Sequence, residues 1–369
     1  MPALSPRSIL AALVALVVGT PACGGAPSTP TPPPPAGSVA VTRVVARAEQ
    51  GRVVVDAYGA AELFAAATDA LVAGRCEAAV RRYDRLVAEF PDSALRSAAR
   101  YNAAFCLHEA GELERAVARY RALLIAAPRP TDARHALLQL TDALEATEAW
   151  AGLLEVAERL LVRDDLAVEE RLEGMSRRAR ALLALGRVAA AAAQAREAVR
   201  YHRRAEAAGP ADAAPDGADG ARFAAAASYV LAEALRLRSE RIGLSSSDAS
   251  GRRRALAERT HLLLEAQAHY LATVRYHVAP WSEASAAGLA DLYGHLWRSA
   301  ASAPARASRT EARGPSPEEL GRHVEPLLRH AIRSWDLTVG ADGAPEEWAE
   351  RTRQELLRLR QLARREAEG

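Results

Sequence analysis

The sequence predicts an all-α chain built from helical hairpins stacked side by side. Three observations predict it. The segment GRCEAAVRRYDRLVAEFP, from Gly74, recurs as GELERAVARYRALLIAAP, from Gly111: Gly74 aligns with Gly111, Ala79 with Ala116, Tyr83 with Tyr120, Leu86 with Leu123 and Pro91 with Pro128, all at an offset of 37 residues. A fixed period of this size marks a helical repeat array. Hydrophobic residues make up 50% of the 369-residue chain but aromatics only 5%, so alanine supplies much of the apolar content, and alanine favours both the helix and close helix packing. Glycine precedes and proline follows each of these apolar stretches, where one helix must reverse and another must end.

Within a repeat the residue types do separate jobs. Gly74 and Gly111 suit a left-handed turn. Ala79 and Ala116 let two helices approach, and Tyr83 and Tyr120, four residues later on the same face, fill the space beside them. Pro91 and Pro128 stop the second helix. Each hairpin leaves an apolar face that only a neighbouring hairpin can cover. On these residues the chain resembles the tetratricopeptide repeat (TPR) family, whose period is about 34 residues. The resemblance implies a right-handed superhelix of TPR-like helical hairpins, with a longer turn between repeats here.

Residues 1–22 read as a segment apart from the fold. Arg7 is their single charge, an apolar run follows from Ile9 to Val18, and Thr20-Pro21-Ala22 leads into Cys23. A run of about ten residues is short for a membrane span and suits a secretion signal. The segment resembles a bacterial lipoprotein signal, departing from it at Thr20 and Pro21, and that resemblance implies lipid on Cys23. The alternative is ordinary secretion with cleavage after Ala22. Residues 23–38 form a linker with six prolines between Pro27 and Pro35, which stays extended and packs no core. Gly24, by the same resemblance, implies sorting to the outer membrane, with the body facing the periplasm. Residues 39–58 predict a short β-hairpin, its β-branched stretches Val41–Arg47 and Arg52–Asp56 separated by Gln50-Gly51.

Residues 60–205 hold four repeats. The first runs from Ala60 to Pro91 and the second from Ser97 to Pro128. The third stays in phase through Trp150, Leu153 and Leu160, but Glu148 stands where the earlier repeats have glycine, so that turn is expected to close differently. The fourth carries Gly186, Ala191, Ala195 and Ala198. Glycines and prolines in 206–220 predict a flexible linker. Residues 221–340 read as two expanded repeats with long loops at their tips: Ala266, Tyr270 and Thr273, and again Ala331, Trp335 and Thr338, keep the spacing of Ala79, Tyr83 and Leu86. Residues 345–367 form a closing helix whose outer face is charged, as the end of an array requires.

Little in the chain points to chemistry. The net charge of +2 gives no strong pull toward nucleic acid. No phosphate-cradling loop, nucleophile elbow or metalloprotease motif occurs. His261, His269 and His277 recur every eight residues and so drift around a helix instead of gathering a ligand set. Neither a cofactor nor a metal nor an enzymatic activity is expected; a hydrolase with an unrecognised site is a minor alternative. Cys76 and Cys106 fall on helices that should be neighbours. They read as a disulfide pair or, equally, as two buried thiols.

The TPR resemblance implies that the first helix of each repeat lines a concave groove. That groove would show Phe64, Thr68 and Leu71, then Tyr101, Phe105 and His108, then His135, Leu138 and Asp142, then Ser176 and Arg180. Phe64, Tyr101 and Phe105 would make an aromatic strip that anchors a peptide or helix; the other reading is that the N-terminal segment covers them or that they pack between repeats. The lysines and asparagines with which TPR clamps hold an acidic tail are absent from these positions. The expected function is a non-enzymatic, lipid-anchored scaffold that binds envelope proteins through its groove and the membrane through Cys23. It is similar in plan to TPR lipoproteins of outer-membrane assembly and to periplasmic TPR proteins of wall synthesis. The alternative is a lipoprotein that holds a small ligand or glycan among Trp281, Trp297 and Trp335.

Overall fold

The computed structural model describes residues 43–49, 52–126, 129–208, 218–244, 249–301, 316–339 and 347–368. The signal segment 1–22, Cys23, the proline-rich linker and most of the 206–220 break lie outside the described residues. The chain divides into two compact units, Met1–Glu148 and Ala149–Gly369. The division falls inside the stretch read as four continuous repeats and separates the two helices of the third.

The first unit opens with strands β1 (Arg43–Glu49) and β2 (Arg52–Tyr58), paired antiparallel with Arg43 opposite Tyr58 and Glu49 opposite Arg52. Five helices follow: α1 (Ala60–Val72), α2 (Cys76–Glu89), α3 (Arg96–Glu109), α4 (Leu113–Ile125) and α5 (Pro130–Ala146). Each packs on the next, and α3 also packs on α1 and α5, giving two stacked helical hairpins of TPR-like build and a fifth helix. Pro130 sits in the first turn of α5, where the missing N–H costs nothing.

The turns explain the glycines. Gly74 and Gly111 take φ of +70° and +79°, and the residue after each returns a backbone hydrogen bond into the preceding helix, Arg75 N–H to Ala70 O at 2.8 Å and Glu112 N–H to Leu107 O at 2.9 Å. Glu148 corrects the expectation of a different turn: it takes the same left-handed conformation at φ +54°. The hairpin geometry imposes the conformation, and a residue with a Cβ adopts it at a cost of about 1 kcal/mol.

The alanine–tyrosine pattern is the core. Ala79, Ala116, Tyr83, Tyr120, Leu86 and Leu123 are all fully buried. Burying one such large side chain contributes roughly 1.5–3 kcal/mol. The Tyr83 hydroxyl also joins three helices, lying 3.0 Å from Thr68 Oγ1 on α1 and accepting from Asn102 Nδ2 on α3 at 3.1 Å. The strand end is tied to α2: the Tyr58 hydroxyl donates to Glu89 Oε2 at 2.6 Å, and the Arg85 guanidinium lies 4.1 Å over the Tyr58 ring.

The second unit holds α6 (Trp150–Leu161), α7 (Val168–Ala184), α8 (Val188–Ala208), α9 (Ala218–Glu240), α10 (Ala249–Val274), α11 (Ala279–Ala301), α12 (Pro317–Val339) and α13 (Glu347–Glu368). Hairpins α7/α8, α9/α10 and α11/α12 stack, and α13 packs on α11 and α12. One layer runs α7–α9–α11–α13, each helix touching the next of the row, while α8, α10 and α12 lie behind it. Gly186 turns α7 into α8 at φ +73°. Leu172, Met175, Ala198, Val199, Phe223, Ala224 and Ala227 form a buried cluster joining α7, α8 and α9.

Two glycines set the helix spacing farther on. A Cβ at Gly288 would stand 2.6 Å from the Tyr270 ring, and one at Gly321 would stand 2.5 Å from the backbone oxygen of Ala363. Ser316 caps α12 through a reciprocal pair, its N–H donating to Glu319 Oε2 and its Oγ accepting from Glu319 N–H, both at 3.1 Å. Glu325 of α12 accepts from Arg329 and, at 3.0 Å, from Arg360 of α13, fastening the last helix. Among the described residues no helix is long and apolar enough to cross a membrane.

Candidate functional site

The first unit carries most of the residues expected to line a groove, and it uses their rings for packing. Phe64, Tyr101 and Phe105 are 8%, 7% and 6% exposed, which corrects the expectation of an exposed aromatic strip. Phe64 meets Tyr83 edge-on at 5.5 Å between centroids. Tyr101 stacks on Phe105 at 6.1 Å and also faces Tyr120 and His135. The small residues around them, Ala67, Ala103, Ala104 and Ala136, let the helices close until the rings lie between them. Burial drives the Tyr101 hydroxyl far above its ordinary pKa, so it stays a neutral phenol.

Thr68, Leu71, His108 and Leu138 remain half-buried. Thr68 spends its hydroxyl on the Phe64 carbonyl and on Tyr83. His108 Nε2 lies 3.2 Å from Asp142 Oδ2, joining α3 to α5, while its Nδ1 and the Tyr120 hydroxyl are buried with no hydrogen-bond partner among the described residues.

In the second unit the front row of helices leaves Arg180, Tyr229, Trp281 and Trp348 half-buried. Arg180, expected on the groove from sequence, lies with its guanidinium carbon 4.7 Å from the centre of the Trp281 ring and 5.9 Å from that of Trp150. Tyr229 of α9 faces Trp281 at 5.4 Å. Its hydroxyl is pushed up to about 12, by burial first and then by the Glu233 carboxylate. Below it Arg236 binds both Glu233, at 2.7 Å, and Glu240, at 2.6 Å, and Tyr270 donates to Glu233. Those charges answer one another.

The next gap in the row, between α11 and α13, is a cavity of about 510 Å³ that opens to solvent. Ala286, Ala287 and Ala290 form its floor and Trp348 stands on its wall. On the α13 side Arg351 pairs with Glu347 at 3.1 Å and Arg358 with Glu355 at 3.2 Å. On the α11 side Glu283 and Asp291 are exposed and take part in no ion pair or hydrogen bond among the described residues. Their unanswered charge is negative.

Trp335 is fully buried and meets Trp348 edge-on at 6.1 Å, while Trp281 is taken up by Tyr229 and Arg180. Trp281 and Trp335, two of the three tryptophans expected around a pocket, are thus engaged by other side chains, and the cavity between α11 and α13 is walled by Trp348. The sequence reading also missed Tyr229, Glu283, Ala287 and Asp291. A signal was present: Glu283, Ala287 and Asp291, spaced four residues apart, form a stripe on the opposite side of α11 from buried Leu289, Leu292 and Leu296.

Cys76 and Cys106 are free thiols on the packed helices α2 and α3, and each shifts the other's pKa. Cys76 is half-buried and Cys106 buried. Burial raises the pKa of both.

No family model matches the sequence, and no curated protein matches it. Among solved structures the chain is similar to a tetratricopeptide repeat protein from Parabacteroides merdae, at 13% identity and TM-score 0.42, over 81% of this chain and 98% of that one. It is also similar to nearly identical TPR-like repeats assigned to a kinesin light chain of Podosopora anserina, at 19% identity and TM-score 0.36, over 58% and 95% of the two chains. A third is the TPR domain of P58(IPK), at 11% identity and TM-score 0.16, over 83% and 99%. The TPR-like build described above rests on the chain's own turns and helix packing.

Proposed function

We propose that the chain is a non-enzymatic scaffold that captures segments of other proteins, held by lipid on Cys23 in a bacterial cell envelope and serving outer-membrane or cell-wall assembly. One observation supports the capture above the rest: the open groove between α11 and α13 joins an alanine floor and a tryptophan wall to two carboxylates that are unpaired among the described residues. The occupant it suits is a segment of a partner protein bearing two basic side chains. Carboxylates eight residues apart on a helix stand about 12 Å apart along its axis. Two lysines or arginines eight residues apart on a partner helix match that span, and the alanines leave room for its small apolar side chains.

The test is fluorescence anisotropy with helical peptides of one length carrying net charges of about +4, 0 and −4 at roughly 0.15 M salt. The basic peptide should bind most tightly, and Glu283→Gln with Asp291→Asn should weaken it about tenfold. Binding indifferent to peptide charge, or to both substitutions, would contradict the reading. The reading of a small ligand or glycan draws on the same cavity and its Trp348 wall. Displacement of the basic peptide by a neutral oligosaccharide would favour it.

The anchor draws on the residues up to Cys23 and on the uncharged, proline-rich stretch after them, which would hold a folded body off a membrane. Cys23→Ser should move the protein out of the membrane fraction. A variant that still pellets with membranes would remove the lipid from the account.

A further inference from the structure

We propose that Cys76 and Cys106 form a redox staple: on exchange with a disulfide oxidant they close a bond that locks the first hairpin of the first unit to the second. The two residues come from different hairpins. Cys76 is the first residue of α2, directly after the left-handed turn at Gly74, and Cys106 lies one turn before the end of α3. Since α2 and α3 pack against each other, the start of one meets the end of the other, which brings the two thiols within range to act on each other. The same edge is already held by charge, Arg115 of α4 reaching Glu77 at 2.9 Å and also Glu112. Among the described residues no group of three histidines, cysteines or carboxylates could hold a metal here, so the two sulfurs are left to each other.

The roles of the two thiols differ. Cys76 is half-buried and Cys106 is only 3% exposed, so an oxidant reaches Cys76. The neighbouring Cys106 thiol favours the Cys76 thiolate, against the burial that opposes it. The Cys76 thiolate attacks one sulfur of a small-molecule or protein disulfide, forming a mixed disulfide and releasing one thiolate. Cys106, already in contact, loses its proton and attacks Cys76 Sγ, releasing the second. The sum is two cysteine thiols plus one disulfide giving one Cys76–Cys106 disulfide plus two thiols, the two cysteine protons ending on the thiols released. Burial of both sulfurs makes the exchange slow and, once closed, protects the bond.

The experiment uses the full chain in oxidised or reduced glutathione, digested with trypsin under non-reducing conditions. The expected product joins the peptides of residues 76–81 and 101–115. The bond closes α2 and α3 into one loop, and the oxidised protein should melt roughly 10 °C higher than the reduced one. Cys76→Ser should abolish that difference, and Cys106→Ala should accumulate glutathione on Cys76. Thiols that stay open to alkylation after oxidation, a wild-type chain that keeps glutathione on Cys76, or a bond from either residue to Cys23 instead would each overturn the proposal.

Discussion

The two units of the chain put the same kind of helix face to opposite uses. In the first, Phe64, Tyr101 and Phe105 sit where a groove was expected and are drawn into the packing. In the second, Tyr229, Trp281 and Trp348 stay half-open along the front row of helices, and an alanine floor leaves a cavity between α11 and α13. The difference lies in which positions carry bulk. Alanines between α1, α3 and α5 let those helices close over their own rings. On α11 Ala287 is exposed and Ala290 half-buried, with Glu283 and Asp291 on either side of them. A ring on the inner helix of a repeat is therefore no guide to a binding site until the size of its neighbours is known.

The contrast between the two faces depends most on the buried tyrosines. Tyr83→Ala removes a fully buried ring together with the hydroxyl that links α1, α2 and α3, and should destabilise the first unit by about 3–5 kcal/mol in chemical denaturation. Trp348→Ala, in the open groove, should cost about 1–2 kcal/mol and weaken basic-peptide binding instead. Equal losses of stability would erase the distinction between the two faces.

Gly321 tests how tightly the closing helix is seated. Its missing Cβ faces the backbone of α13, which cannot yield as a side chain would, so Gly321→Ala should cost about 1–3 kcal/mol and loosen α13 in hydrogen exchange. Glu325 tests the same seat electrostatically. The Arg329 guanidinium holds its carboxyl below the ordinary value, with Arg360 adding to the effect and burial opposing it. A depressed pKa adds stability that is fully present above the unfolded value, near 4.3, and that disappears as pH falls through the lower folded value. Glu325→Gln should thus cost about 1–2 kcal/mol at neutral pH and progressively less below about pH 4. A loss that is the same at pH 3 and pH 7 would show that shape, not charge, fastens α13.

The smallest expected effect concerns Glu148. Replacing it with glycine at φ +54° should stabilise the protein by about 0.5–1 kcal/mol, while Gly111→Ala at φ +79° should destabilise it by a similar amount. Denaturation midpoints moving in the same direction would contradict a shared left-handed turn.

The repeat was legible because its physics is local. Glycine, alanine, tyrosine, leucine and proline each mark a turn, a close approach or a stop within one hairpin, and the structure puts Ala79, Tyr83 and Leu86 and their partners in the core. Glu148 misled for the complementary reason: the turn conformation belongs to the hairpin, and the residue conforms to it. The groove was not legible because it depends on the distance between helices from different repeats. Beyond residue 220 the period is lost, so no register tied Glu283 and Asp291 of α11 to Trp348 of α13. The stripe on α11 marked a surface but not what stood across from it.

The α11–α13 groove, and not the first unit's packed face, is the surface proposed to receive a basic partner segment. A photoreactive side chain placed at Ala287, or separately at half-buried Thr68, tests it with the +4 peptide in solution. Adducts at Ala287 that exceed those at Thr68 and fall with added salt are the predicted result. Equal adducts at both positions, or adducts at Thr68 alone, would contradict it.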